Sequence, residues 1–147
     1  MLPKFHKPLL ISALLGATLS GVGTGPTSAG ELYIYEHNQS VIDWFVVGDK
    51  IKATYSKPKA SLAAAGVKEG AVLFEGDYEG NRIVGTAFAF KSGCAPAAYQ
   101  VIGMEQGSQI ILRGPGPVRS KTGCDVIGYS AKSPHAELTF HYSATHH

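Results

Sequence analysis

Apolar and polar residues alternate with a period of two along much of this chain, and that pattern narrows its possible folds more than any other feature. The clearest stretch runs Ile42-Asp43-Trp44-Phe45-Val46-Val47, then Gly48-Asp49, then Lys50-Ile51-Lys52-Ala53-Thr54-Tyr55. With Gly48-Asp49 as a two-residue hairpin loop, Ile42, Trp44, Val46, Ile51, Ala53 and Tyr55 share one face, and Asp43, Lys50, Lys52 and Thr54 share the other. The first face is expected to be core, which buries Trp44. A second hairpin, Ala71 to Phe90, turns at Gly80-Asn81 and sets Glu79 opposite Arg82, Tyr78 opposite Ile83 and Phe74 opposite Ala87. Its uncharged face holds Val72, Phe74, Gly76, Tyr78, Ile83, Gly85, Ala87 and Ala89. The small residues there leave room that large side chains must fill, as inside barrels and sandwiches. On the other face Leu73, Phe88 and Phe90 predict a covered far end.

Further strands are expected over Leu32–His37, Ala98–Gly103, Ser108–Arg113, Cys124–Ser130 and Ala136–Tyr142. Only Lys59–Ala65 reads as helical, one or two turns stopped by Gly66. The pattern predicts an all-β domain, a small antiparallel barrel or sandwich of about eight strands with one short helix and one disulfide.

Two lysines, Lys4 and Lys7, precede an uncharged apolar run from Leu9 to Leu19, and Thr27-Ser28-Ala29 offers small residues at a cleavage site. Residues 1–29 therefore read as a secretory signal peptide and 30–147 as a single β domain. The apolar run is too short for a helix to span the membrane, so no stable membrane anchor is expected. Without Lys4 and Lys7 the thirteen basic side chains fall to eleven, matching the eleven acidic ones. A near-neutral domain is not drawn strongly to nucleic acid. Export to the periplasm or beyond places Cys94 and Cys124 in an oxidising compartment, where an even count reads as a disulfide.

Candidate chemistry is sparse. Glu75, Asp77 and Glu79 form an acidic row on one strand face, suited to glycoside hydrolysis or calcium, but equally to a solvated outer surface. His37, His135, His141, His146 and His147 read as ordinary histidines rather than metal ligands, and Ser133-Pro134-His135 lacks a nucleophile elbow. No cofactor or metal is expected. Arg113-Gly114-Pro115-Gly116-Pro117-Val118-Arg119-Ser120-Lys121 is a stiff loop whose Gly-Pro dipeptides should stop strand pairing, and it reads first as a solvated connection and otherwise as a display of Arg113, Arg119 and Lys121 for binding. Removing these three cations is expected to leave the fold intact.

Several blocks together resemble an uncharacterised β-rich domain of exported proteobacterial proteins, also found at the C-terminus of some bacterial caspase-like proteins. They are Tyr35-Glu36-His37-Asn38-x-Ser40, Ala65-Gly66-Val67-x-x-Gly70-x-x-Leu73-Phe74-Glu75-Gly76, Gly85-Thr86-Ala87, Cys94-x-Pro96-x-x-Tyr99-x-Val101-x-Gly103 and Gly123-Cys124-x-Val126-x-Gly128-Tyr129. The resemblance implies a bacterial source and a bonded Cys94 and Cys124, and brings no catalytic residue. The chain thus reads as an exported, non-enzymatic binding module for a protein or glycan. The alternatives are an inhibitor of a foreign lysozyme or protease, a hydrolase using Glu75, Asp77 and Glu79, and a lipocalin-like carrier.

Overall fold

The computed structural model describes residues 29–146, together with Gly21 and Gly23. The expected signal peptide lies outside the described residues apart from Gly21, Gly23 and Ala29. In chain order the elements are β1 (Glu31–His37), β2 (Ser40–Val47), β3 (Lys50–Lys57), α1 (Ala60–Ala64), β4 (Val72–Glu79), β5 (Arg82–Ala89), β6 (Ala97–Gln106), β7 (Gln109–Arg113), β8 (Gly116–Arg119), β9 (Val126–Ser130) and β10 (Glu137–His146). Strands β1 to β7 and β10 close an antiparallel barrel in the order β1-β10-β7-β6-β5-β4-β3-β2. Strands β8 and β9 form a separate two-stranded sheet.

The hairpin registers follow from turn chemistry. Gly48 and Gly80 take positive φ, which glycine adopts without steric cost. Ile42 faces Tyr55, Trp44 faces Ala53 and Val46 faces Ile51 across β2 and β3. Glu79 faces Arg82, Tyr78 faces Ile83 and Phe74 faces Ala87 across β4 and β5. The turn between β1 and β2 is less comfortable, because Asn38 (φ 46°) and Gln39 (φ 65°) both sit in the left-handed region. Asparagine tolerates that region better than glutamine does.

Side chains fill the barrel interior. Trp44, Phe74, Phe140, Ile42, Ile83, Ile110 and Leu112 are completely or almost completely buried. Trp44 stacks on Phe74 with ring centroids 5.6 Å apart and meets Phe140 edge-on at 5.3 Å. Gly76 and Gly85 make this possible. A Cβ on Gly76 would lie 2.5 Å from the Phe74 ring, and one on Gly85 would lie 2.8 Å from it and 2.2 Å from the Glu75 carbonyl oxygen. The space left by the small residues is thus occupied by Phe74 of the same sheet, with Trp44 laid on top.

Two details depart from simple alternation. A bulge between Ala53 and Thr54 lets β4 present both Leu73 and Phe74 to the interior, while Val72 is only half-buried. The Gly-Pro segment expected to stop pairing instead forms β8, with Pro117 opposite Tyr129. A two-stranded sheet has an outer edge on each strand, where proline's missing N–H costs no ladder bond. Beyond β3, α1 ends at Ala65 and Gly66 turns the chain at φ 97°. Leu62 from this helix packs against the core and covers the end of the barrel, as the apolar Leu73, Phe88 and Phe90 anticipate.

The two ends of the barrel differ. One carries the tight turns β2–β3, β4–β5 and β6–β7 and the start of β1. The other carries α1, the disulfide loop and the β8–β9 hairpin. Cys94 and Cys124 are bonded and join the β5–β6 connection to the β8–β9 connection.

Candidate functional site

The three cations expected to bind a partner do not form a single displayed group. Arg113 ends β7 directly opposite Glu137, and its Nε donates to that carboxylate at 3.0 Å. Arg119 donates to the carbonyls of Cys124 (2.7 Å), Ala95 (2.7 Å) and Ala89 (3.4 Å). Lys91 does similar work nearby, donating to the Gly123 carbonyl at 2.7 Å. Lys121 is exposed and makes no hydrogen bond or ion pair among the described residues.

This placement changes the expected outcome of mutation. Hydrogen bonds from a charged donor are worth about 1.5 to 3 kcal/mol when buried and less near solvent. Arg119→Ala is therefore expected to cost about 1 to 2 kcal/mol, whereas Lys121→Ala should stay within about 0.5 kcal/mol. Urea melts of the two variants test this, and equal midpoints would show that the Arg119 bonds add nothing to the fold.

The acidic row points outward and is paired. Glu75 lies 3.8 Å from Lys52, Glu79 lies 2.9 Å from Arg82, and Asp77 pairs with Lys50. Among the described residues these carboxylates line none of the cavities at the two barrel ends or beside the β8–β9 hairpin. Among the described residues no group of three or more histidine, cysteine, aspartate or glutamate side chains could hold a metal ion.

At the helix end His37 is buried and stacks on Phe140 at 4.9 Å, with Nδ1 3.0 Å from the Thr139 carbonyl. Burial, aided by Lys59, lowers its pKa against the pull of that carbonyl, so the ring is neutral and Nδ1 carries the proton. Burial, and then Arg119, likewise lowers the pKa of His135. Both histidines line a cavity of about 180 Å³ under α1. With Nδ1 given to a main-chain carbonyl, His37 is a core histidine that ties β1 to β10.

The opposite end opens into a larger cavity of about 620 Å³, lined by Tyr33, Tyr35, Tyr78 and Tyr142 with Glu31 and Glu105. Strand parity explains the cluster. Tyr33 and Tyr35 follow the inward positions of β1, Tyr78 continues the Phe74 face of β4, and Tyr142 continues the Phe140 face of β10. Tyr35 faces Tyr142 across the β1–β10 ladder, and their rings meet edge-on at 5.7 Å. Tyr35 also touches Trp44 at 5.7 Å, so the cluster rests on the aromatic core.

Hydroxyls and carboxylates are coupled here. Tyr78 donates to Glu105 Oε1 at 2.9 Å, and Tyr33 donates to Glu31. Burial, and then Glu105, pushes the Tyr35 hydroxyl up to about 12. Burial, followed by the bond to Glu105, raises Tyr78 as well, while Trp44 opposes the shift. Trp44 Nε1 is buried with no hydrogen-bond partner of good geometry. Tyr33, Tyr35 and Tyr78 are therefore neutral at physiological pH.

Sequence reasoning did not single out this cluster. Its signal was available: four tyrosines at inward parity near strand ends, where a polar-tipped ring suits a half-open site better than a closed core. Among the described residues no helix is long and apolar enough to cross a membrane. No family model, curated protein or solved structure matches the chain, which leaves the geometry to carry the functional argument.

Proposed function

We propose that the protein is an exported binding module that recognises a protein or glycan in the envelope or outside the cell, with the tyrosine-lined mouth as its recognition site. The observation that carries this reading is the mouth itself, a cavity of about 620 Å³ rimmed by four tyrosines on a rigid barrel. Tyrosine offers a large apolar face and a hydrogen-bonding tip at small entropic cost, and so is favoured at recognition surfaces. The closed ladder supports the site by limiting the order that binding must impose. The filled interior speaks for recognition at the rim over carriage of an apolar ligand inside.

Tyr142 is half-exposed at the rim, so its removal should perturb the fold little. Immobilised wild-type protein is expected to retain a specific protein or glycan from an envelope extract, and Tyr142→Ala to retain about tenfold less, as for a binding hot spot. Equal retention by two proteins of equal melting temperature overturns the assignment of the site, and no retention by wild type overturns the function.

A further inference from the structure

The cavity's lining is one-sided in charge. Among the described residues, Glu31 and Glu105 are its charged side chains, and no lysine, arginine or histidine lines it. Each carboxylate accepts a hydrogen bond from a tyrosine that lines the same cavity, which fixes the anions beside aromatic rings. The field of Glu105 reaches Tyr33, Tyr35 and Tyr78, so carboxylate and rings converge on one space. A spectroscopic reporter lies below this cavity. The one tryptophan of the chain lies beneath the cluster, completely buried, and its N–H faces the Tyr78 hydroxyl without a well-formed bond to any group. The polar chain from indole to hydroxyl to carboxylate is incomplete at its buried end.

We infer that the tyrosine mouth binds an organic cation, an ammonium or guanidinium group, held by Glu31 and Glu105 and seated on the faces of Tyr33, Tyr35, Tyr78 and Tyr142. This rests on the mouth being the recognition site and adds the chemistry of what enters it. Electron-rich ring faces attract a cation within about 6 Å of the ring centroid, more strongly as water is excluded. A carboxylate already fixed by a tyrosine hydroxyl is pre-organised for a donor on its remaining lone pairs. A neutral or anionic group of the same size would leave both carboxylates uncompensated and draws nothing from the rings. As a cation pulls on Glu105, the Tyr78 hydroxyl is drawn with it and the Trp44 N–H environment changes. The single indole resonance is thus an internal reporter.

The test follows that resonance by NMR in the purified protein during titration with N-acetyl-lysine methylamide, N-acetyl-arginine methylamide and n-butylammonium. The uncharged N-acetyl-norleucine methylamide, one heavy atom shorter than the lysine probe, serves as the apolar control. Saturable shifts with the cations and at least tenfold weaker binding of the control are expected. Tighter binding of the amide-bearing lysine or arginine probe than of n-butylammonium assigns the cation to a side chain of a polypeptide, and equal binding assigns it to a free amine. The double variant Glu31→Gln/Glu105→Gln keeps the shape of the mouth and should weaken the cations about tenfold, leaving the control unchanged. Equal response to cation and control, or no response to any cation, overturns the inference. If cations fail while Tyr142→Ala still loses the retained protein or glycan, the mouth remains a recognition site and only its preference for positive charge is wrong.

Discussion

Replacing Trp44 with alanine is expected to lower the stability of the domain by about 3 to 5 kcal/mol, the range for deleting a large aromatic side chain from a packed core. Trp44 is completely buried, stacked on Phe74 and edged by Phe140. Those neighbours cannot collapse into the vacated volume, because Phe74 is already pressed over Gly76 and Gly85. Against a total stability of about 5 to 15 kcal/mol for an ordinary domain, this is a large share. Trp44→Phe separates packing from polarity. It keeps a ring in the stack and removes the unpartnered N–H, so the loss should be clearly smaller than for alanine. Denaturant melts of both variants give the comparison, and a loss below about 1 kcal/mol for alanine would mean that the interior repacks freely.

Removing the disulfide, by reduction or as Cys94→Ser/Cys124→Ser, is expected to cost about 3 to 4 kcal/mol from the entropy of a closed loop of this length. The bond spans a sequence separation of 30 and joins two connections outside the barrel ladder. Its loss should act locally. Arg119 and Lys91 still hold the same segments through the carbonyls of Cys124, Ala95 and Gly123. Amide exchange is expected to quicken most in β8, β9 and the 90–97 connection through local opening, while the slowest amides of β2 to β5 lose protection only by the drop in global stability. Uniform loss of protection across all strands would show instead that the bond holds the barrel itself.

The sequence was most informative where one face of a strand is buried and the turn is tight. The registers around Gly48-Asp49 and Gly80-Asn81 were legible because a slip of one residue would expose Trp44 or Phe74. The choice of barrel over sandwich was not, since it depends on β1 meeting β10, a pairing that no local pattern encodes. Strand β8 was missed because Gly-Pro reads as a breaker, although an outer edge accepts it. The structural bonds of Arg119 were hidden for a related reason. A cation near a cysteine looks displayed in one dimension, whereas in space three backbone carbonyls surround it. The four tyrosines of the mouth come from three separate strands, β1, β4 and β10, and parity alone does not say which strand ends will share a cavity.

The ladder between β1 and β10 pairs Leu32 with His146 and so joins the first and last strands of the barrel. Every other stave neighbours one formed earlier or later along the chain by a short link, except at the β8–β9 excursion. Closure is therefore the most non-local step of assembly, and until it happens the sheet has two raw edges, β1 and β10, open to pairing with other molecules. Because the start of β1 and the end of β10 lie side by side at the tyrosine end, a short linker could splice them and new termini could be cut at Gly80-Asn81. Such a circular permutant would turn the β1–β10 contact into a hairpin and hand the first-to-last closure to β4 and β5, while keeping the same ring of staves.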